Sequence, residues 1–326
     1  MNIKAKPFIK WVGGKTQLLE QLDALLPANL EKWEDMTYIE PFVGGGAMLF
    51  YILQRYPNIK QAVINDINTD LITCYRTVRN VPEKLINSLQ KIEREYLQLT
   101  DEEKRKAFFL DMRAQYNKKN LDAVENTSLF FFLNKTCFNG LYRVNKKGEF
   151  NVPFGKYANP TICDPDVIRR DSELLQRVEI LNDDFVHTFD YAKGNCLFYF
   201  DPPYRPLSNT SSFNDYTKDA FNDDAQIRLK EYCDKIDNAG FYFMLSNSDG
   251  KGKDRDDSFF DTLYANYHIE RVWASRSVNS NPDKRGKLTD ILVHNYLDTK
   301  KNSYAANFQL EPYFVAEESK GYGKGF

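Results

Sequence analysis

At the usual ~100–200 residues per domain, a chain of 326 residues holds one large domain or two, and 42% hydrophobic with 14% aromatic residues is ample for a core. No apolar run approaches the roughly 18 residues that span a bilayer, and Met1 to Pro7 lacks the apolar region of a signal peptide, so no membrane is implied and a cytoplasmic protein is expected. The cysteines Cys74, Cys137, Cys163, Cys196 and Cys233 show no C-x-x-C spacing and the histidines are only His187, His268 and His294, so neither a disulfide framework nor a metal site is expected.

A net charge of −2 conceals an asymmetry between residues 104 and 156. There Lys104, Arg105, Lys106, Arg113, Lys118, Lys119, Lys135, Arg143, Lys146, Lys147 and Lys156 face only Asp111, Asp122, Glu125 and Glu149. Such an excess is the footprint of a phosphate-backbone contact, although charge-rich helices also serve simply as solvated faces.

The first motif, Phe8 to Thr16, carries Lys10, Trp11, Gly13, Gly14 and Lys15, but Ile9 stands where a nucleotide-phosphate loop needs glycine. Thr37 to Glu40 reads as a short strand, and Pro41-Phe42-Val43-Gly44-Gly45-Gly46 turns it into a helix over 47–56. Glycines at a strand-to-helix turn permit positive φ and close ligand approach, yet three in a row do not match G-x-G-x-x-G. A second strand, Gln61 to Ile64, ends at Asn65-Asp66. Asp66 lies about 20 residues past the glycine turn, where an acid reaches ribose hydroxyls; the other account is a helix N-cap, which Asp70 serves equally well.

Residues 81–126 carry helical periodicity and many charges, and Ser128 to Leu133 reads as a buried helix. This breaks the β-α-β rhythm and predicts an inserted helical subdomain. Tyr142 to Asn145 and Glu149 to Val152 alternate across Lys146-Lys147-Gly148, a hairpin signal. A basic hairpin fits the major groove, and Arg143 is of the type that pairs bidentately with guanine. Val178 to Leu181 is a strand followed by Asp184 and Phe185, an acceptor and a ring for the amine and face of an adenine, with helix capping an equally good account for Asp184. Cys196 to Phe200 is a buried strand that must stop at Asp201, because Pro202 and Pro203 cannot continue a ladder. The Asp201 carboxylate, the Pro202 carbonyl and the Tyr204 ring then sit on a stiff scaffold suited to a planar amine. Residues 205–222 read as a loop beside the site, Phe241 to Leu245 as a strand ending at Ser246-Asn247, and Thr289 to Tyr296 as the last strand.

Asp-Pro-Pro-Tyr after an apolar strand, the F-x-K-W-x-G-G-K opening, F-V-G-G-G, N-D and the run Asn139 to Gly155 together resemble the Dam-type DNA adenine methyltransferases. The resemblance implies a Rossmann-like α/β sheet for S-adenosylmethionine over 1–80 and 164–298, with an inserted helical and β-hairpin target-recognition subdomain over 81–163. The tail, 299–326, stays unassigned. Trp11, Lys15, Phe42, Gly44, Asp66, Asp184, Phe185 and Asp201 would form the cofactor pocket, Lys15 as the cation for a cofactor carboxylate. Lys10, Phe138, Asn139, Leu141, Arg143, Asn145, Lys146, Lys147, Pro153 and Lys156 would meet double-stranded DNA at GATC. Within that set Arg143 would read guanine, Leu141 and Pro153 would make apolar base contacts, and Phe138 would wedge into the duplex where relatives often carry tyrosine. Ser275 to Asn281 resembles the family's phosphate-contacting segment.

The implied reaction is direct methyl transfer to the N6 amine of a flipped adenine by an enzyme acting as a monomer. Asp201 and the Pro202 carbonyl would hold the amine while Tyr204 stacks on the base. The alternatives are an amine methyltransferase acting on cytosine or RNA, against which Asp rather than Ser or Asn before Pro-Pro-Tyr argues, and a catalytically silent DNA-binding relative.

Overall fold

The computed structural model describes residues 4–205, 221–252, 256–274 and 288–302. In chain order the elements are α1 (Leu19–Ala24), β1 (Met36–Glu40), α2 (Ala47–Arg55), β2 (Ile59–Asn65), α3 (Thr69–Asn80), α4 (Pro82–Leu97), α5 (Glu102–Asn117), α6 (Ala123–Thr136), α7 (Pro165–Leu175), β3 (Val178–Leu181), β4 (Cys196–Phe200), α8 (Asp223–Asn238), β5 (Tyr242–Ser248), α9 (Phe259–Leu263), β6 (His268–Ala274) and β7 (Leu288–His294). The strands form one sheet in the order β3-β2-β1-β4-β5-β7-β6. β1 to β5 pair in parallel, while β7 runs antiparallel to both β5 and β6. Strand order reverses between β1 and β4, which opens a crevice beyond their carboxyl ends, the place where such sheets bind ligands.

β4 shows why the sheet is covered on both sides. Its side chains alternate between faces, so Cys196, Phe198 and Phe200 join Leu229, Tyr232 and Ile236 of α8 in one core. Leu197 and Tyr199 face the opposite core with Leu49 and Phe50 of α2 and Tyr75 of α3. That second core runs without a break into the inserted helices, since Phe130, Phe131, Phe132 and Leu133 of α6 belong to it. The Phe131 ring meets Phe8 edge-on at 5.1 Å, which also ties the amino-terminal motif to the insertion. Asp122 starts α6 with a reciprocal capping box to Glu125.

Several expectations differ from what is observed. The hairpin over 142–152 is present but too short for a regular strand pair: Val144 bridges antiparallel to Phe150, flanked by backbone bonds from Asn145 to Glu149 and from Asn151 to Arg143, and a further bridge joins Cys137 to Phe154. β6 was not anticipated because Glu270 and Arg271 interrupt its apolar pattern, as suits the edge of a sheet. β5 continues to Ser248 because Ser246, Asn247 and Ser248 face β7, which runs back beside them. The first residues of the tail are packed: Lys300 is buried and binds Asp23 at 3.1 Å, and Thr299 bridges to Pro27. Residues 275–281 and 206–220 lie outside the described residues.

Because Phe132 is fully buried and packs edge-on against Tyr96 and Phe108, each at 5.5 Å, Phe132→Ala is expected to cost about 3–5 kcal/mol. Chemical denaturation checks it, and the loss should appear in one cooperative transition that includes the sheet.

Candidate active site and DNA-facing surface

The apolar run of β4 ends at Asp201, and its carboxylate meets a charge from the other end of the chain. Lys15 Nζ donates to Asp201 Oδ1 at 2.7 Å, to the Tyr204 hydroxyl at 2.6 Å and to the Gly13 carbonyl at 3.1 Å. All three ammonium hydrogens are thereby directed at protein acceptors. The Lys15 side chain, expected to meet a cofactor carboxylate, is only 4% exposed, and its ammonium bonds two residues of the Asp-Pro-Pro-Tyr motif. The cause is electrostatic. Burial pushes the Asp201 carboxyl up, Lys15 pulls it back down, and nearby Asp290 pushes it up again. Glu40, buried at the end of β1, accepts the Tyr38 hydroxyl at 2.8 Å, and its carboxyl is held well above the usual range, chiefly by burial.

Three residues that sequence reasoning missed hold the motif in place. Gln226 of α8 donates to the Pro203 carbonyl at 3.3 Å and accepts from Asn247 of β5 at 3.0 Å. The Tyr204 hydroxyl donates to Asp290 of β7 at 2.8 Å. Burial of a polar residue inside an apolar strand was the available signal for Asn247 and Asp290; Gln226 offered none.

On the other side of the crevice, Gly44 and Gly46 take positive φ of 47° and 74°. A Cβ on Gly46 would meet the Tyr75 hydroxyl at 2.5 Å, so only glycine fits this turn. Trp11 packs on Gly44 and Gly45 and stacks with Tyr142 at 5.4 Å, placing the amino-terminal motif between glycine turn and insertion. Asp66 accepts the backbone N–H groups of Gly44 at 3.2 Å and Asn68 at 2.9 Å. Burial nonetheless raises its carboxyl, with these two bonds opposing. Neither Asp66 nor Asp70 caps α3: Asn68 does, accepting from Leu71 at 3.0 Å, while Asp70 pairs with Lys119 at 2.7 Å. Asn65 donates to the carbonyls of Pro41 and Asp183, tying together the carboxyl ends of β1, β2 and β3.

Asp184 and Phe185 sit beyond β3. Asp184 does cap the following turn, accepting from Val186 at 3.1 Å, and it also receives both Arg228 nitrogens at 2.8 Å. Burial works against this carboxylate, yet Arg228 brings it below its ordinary range. The same guanidinium covers the Phe185 ring at 4.7 Å, and Phe42 lies 5.2 Å from that ring.

The residues expected to face DNA fall into two groups. Phe138, Asn139, Arg143, Lys146, Lys147, Pro153 and Lys156 are exposed, and the Phe138 ring is 53% accessible. Leu141 is only partly buried. Lys10 shares their side because Asn134 bonds its backbone at 2.8 Å in both directions and also binds the Gly140 carbonyl at 3.0 Å. Gly140 has φ +64°, and a Cβ there would strike the Lys10 side chain. Arg143 rests on Asn151 at 2.7 Å, and Lys156 pairs with Glu102 at 2.8 Å. The Asn145 side chain builds the turn, accepting from Lys147 and Glu149 and donating to the Glu149 carboxylate. Among the described residues no cluster of metal ligands occurs and no helix is long and apolar enough to cross a membrane.

Residues 11–278 match the family model described as D12 class N6 adenine-specific DNA methyltransferase. The chain is 48% identical to Type II methyltransferase M.MjaIII of Methanocaldococcus jannaschii, an alignment covering 90% of this chain and 100% of that protein. It is 38% identical to Type II methyltransferase M1.LlaDCHI of Lactococcus lactis subsp. cremoris over 90% of this chain and 97% of the relative. With DNA adenine methylase of Vibrio cholerae identity is 32%, covering 89% and 96% respectively.

Replacing Lys15 by Met removes the charge that opposes burial at Asp201. The Asp201 carboxyl is therefore expected to titrate at higher pH in Lys15→Met than in the wild type, read by carbon-13 NMR of carboxyl-labelled aspartate. An unchanged midpoint would mean that the ammonium contributes nothing to this carboxylate.

Proposed function

The chain belongs to the D12 class of N6 adenine-specific DNA methyltransferases, and from that premise we propose that it methylates adenine within double-stranded GATC, acting as a monomer in the cytoplasm. Its methyl donor is S-adenosylmethionine, which when bound supplies an electrophilic methyl group. The half-buried Asp66 carboxylate beside the glycine turn fits such a nucleoside-bearing group, with two oxygens for two ribose hydroxyls. Phe42, Asp184 and Phe185 fit its adenine, with Arg228 moving aside or sharing Asp184.

The observation that carries the reading is the Asp201 carboxylate, rigidly placed at the switch point and bonded by Lys15, which opposes the upward push of burial. Adenine's amino nitrogen is a poor nucleophile because its lone pair is delocalised into the ring. Inside a duplex it is also inaccessible, so the base is flipped out at a cost of a few kcal/mol. Asp201 Oδ2 and the Pro202 carbonyl accept the two amine hydrogens, which favours a pyramidal nitrogen. The carboxylate then stabilises the positive charge that grows on that nitrogen, and Tyr204 stacks on the extruded ring. We assign residues 81–163 to DNA contact: Phe138 fills the space the base leaves, Leu141 and Pro153 touch bases, and Arg143 exchanges Asn151 for a guanine edge. Lys10, Lys146, Lys147 and Lys156 bind phosphate, and Asn139 and Gly140 shape the backbone between wedge and reader. The relatives named Type II methyltransferases favour a role beside a restriction nuclease.

Target choice is tested by digesting DNA from expressing cells with nucleases that differ in sensitivity to methylated GATC; protection absent at GATC but present elsewhere would replace the proposed site. Asp201→Ala is expected to abolish methyl transfer while DNA affinity, measured by fluorescence anisotropy, stays within about twofold, because the carboxylate acts on the amine in the transition state. Within the hairpin, Arg143→Ala should lose about 1–3 kcal/mol of discrimination at one base pair. Lys147→Ala should instead weaken all sequences alike and reduce the salt dependence by about one counterion. Methylation rates on single-base variants of the site at two salt concentrations separate the two, and a uniform slowing by Arg143→Ala would make it a backbone clamp.

A further inference from the structure

We propose that Asp290 of β7 is a positioning residue for methyl transfer, acting through the Tyr204 hydroxyl to hold the ring on which the flipped adenine stacks. The inference rests on the reading of Tyr204 given above. It starts from hydrogen-bond direction. An ammonium donates and never accepts, so the Tyr204 oxygen must accept from Lys15 at 2.6 Å. A phenol has one hydrogen to give, and it goes to Asp290 Oδ2 at 2.8 Å. The two contacts thus run in one direction, from the ammonium to the phenol oxygen and from the phenol hydrogen to the carboxylate. The Tyr204 ring is thus fixed at its backbone by Pro202 and Pro203 and at its far end by a carboxylate.

Packing alone gives no reason for an acid at this position. Asp290 is 3% exposed and is followed by Ile291, Leu292 and Val293, all in the core. Burying a carboxylate there costs free energy that an apolar residue would not. Topology explains how it reaches the site. β7 is reversed relative to β4 and β5, so Asp290, opposite Ser248 of β5 near the amino end of β7, lies at the same edge as the carboxyl end of β4. A parallel strand would place that edge at its own carboxyl end. The carboxylate has a second effect. With Asp201 it brackets one ammonium: Lys15 bonds Asp201 directly and reaches Asp290 through the phenol, so the Asp201 and Tyr204 groups are fixed relative to each other.

The test is a double-mutant cycle on the full chain, using Tyr204→Phe, which removes only the hydroxyl, and Asp290→Ser, which stays polar but is too short to reach it. Single-turnover methylation of a duplex containing the target site is measured together with the fluorescence of a duplex carrying 2-aminopurine at the target position. A hydrogen bond to a charged group of this kind corresponds to about tenfold in rate. Each single variant should therefore be about tenfold slower with an unchanged KM for S-adenosylmethionine, the double variant no slower than the slower single, and Asp290→Asn, which keeps an acceptor, should recover most of the rate. Emission from the flipped base should rise in all slow variants as stacking loosens. Multiplicative effects in the double variant, or Tyr204→Phe at the wild-type rate, overturn the proposal. Tyr204→Ala and Asp201→Ala distinguish the levels: if both retain turnover, the reading of the site itself fails, whereas if both lose it while Tyr204→Phe does not, only the role of Asp290 falls.

Discussion

The buried ion pair between Lys15 and Asp201 joins residues that are 186 positions apart, and much of the crevice is arranged around it. Three acids, Glu40, Asp201 and Asp290, converge on the carboxyl edge of the sheet, and Lys15 is the cation bonded to Asp201. In a medium from which water is largely excluded, removing one partner of such a pair costs about 3–5 kcal/mol because the other charge is left unpaired. The amino-terminal loop therefore cannot drift from the end of β4 without a large penalty. That couples the position of Trp11 and Lys10, on the same loop, to the position of the Asp201 carboxylate.

This coupling continues into the inserted helices. Trp11 stacks on Tyr142, Lys10 is bonded through its backbone to Asn134, and Asn134 also holds Gly140. The surface assigned to DNA and the carboxylate assigned to the amine are thus connected by a short chain of contacts rather than by a flexible linker. The shared core of α6 with the sheet adds rigidity, because close-packed aromatic side chains tolerate little displacement. The base extrusion proposed above would benefit from such stiffness, since the cost of unstacking is met by contacts made at defined distances.

Polar groups buried behind the site follow the same logic. Asn247 holds Gln226, Gln226 holds the Pro203 carbonyl, and Asn65 ties three strand ends together. Each satisfies its partners inside the protein, as burial requires, and together they leave the ends of β1, β2, β3 and β4 in fixed relation. Function then falls to the groups just beyond those ends.

The sequence by itself determined what is local. An apolar run stopped by two prolines marks the end of β4 and with it Asp201, a glycine turn marks the passage from β1 to α2, and a hairpin signal marks the turn at Lys146 to Gly148 in a basic segment, because strand ends, turns and charge excess are properties of neighbouring residues. The family resemblance was equally local, carried by short motifs. What only the tertiary structure decided are the pairings over long separations: Lys15 with Asp201, Arg228 with Asp184, Asp70 with Lys119 rather than with a helix end, and Asp290 with Tyr204. No spacing rule reaches across 44 to 186 residues. Which charge meets which depends on strand order and on the reversal of β7, and those follow from packing the whole sheet.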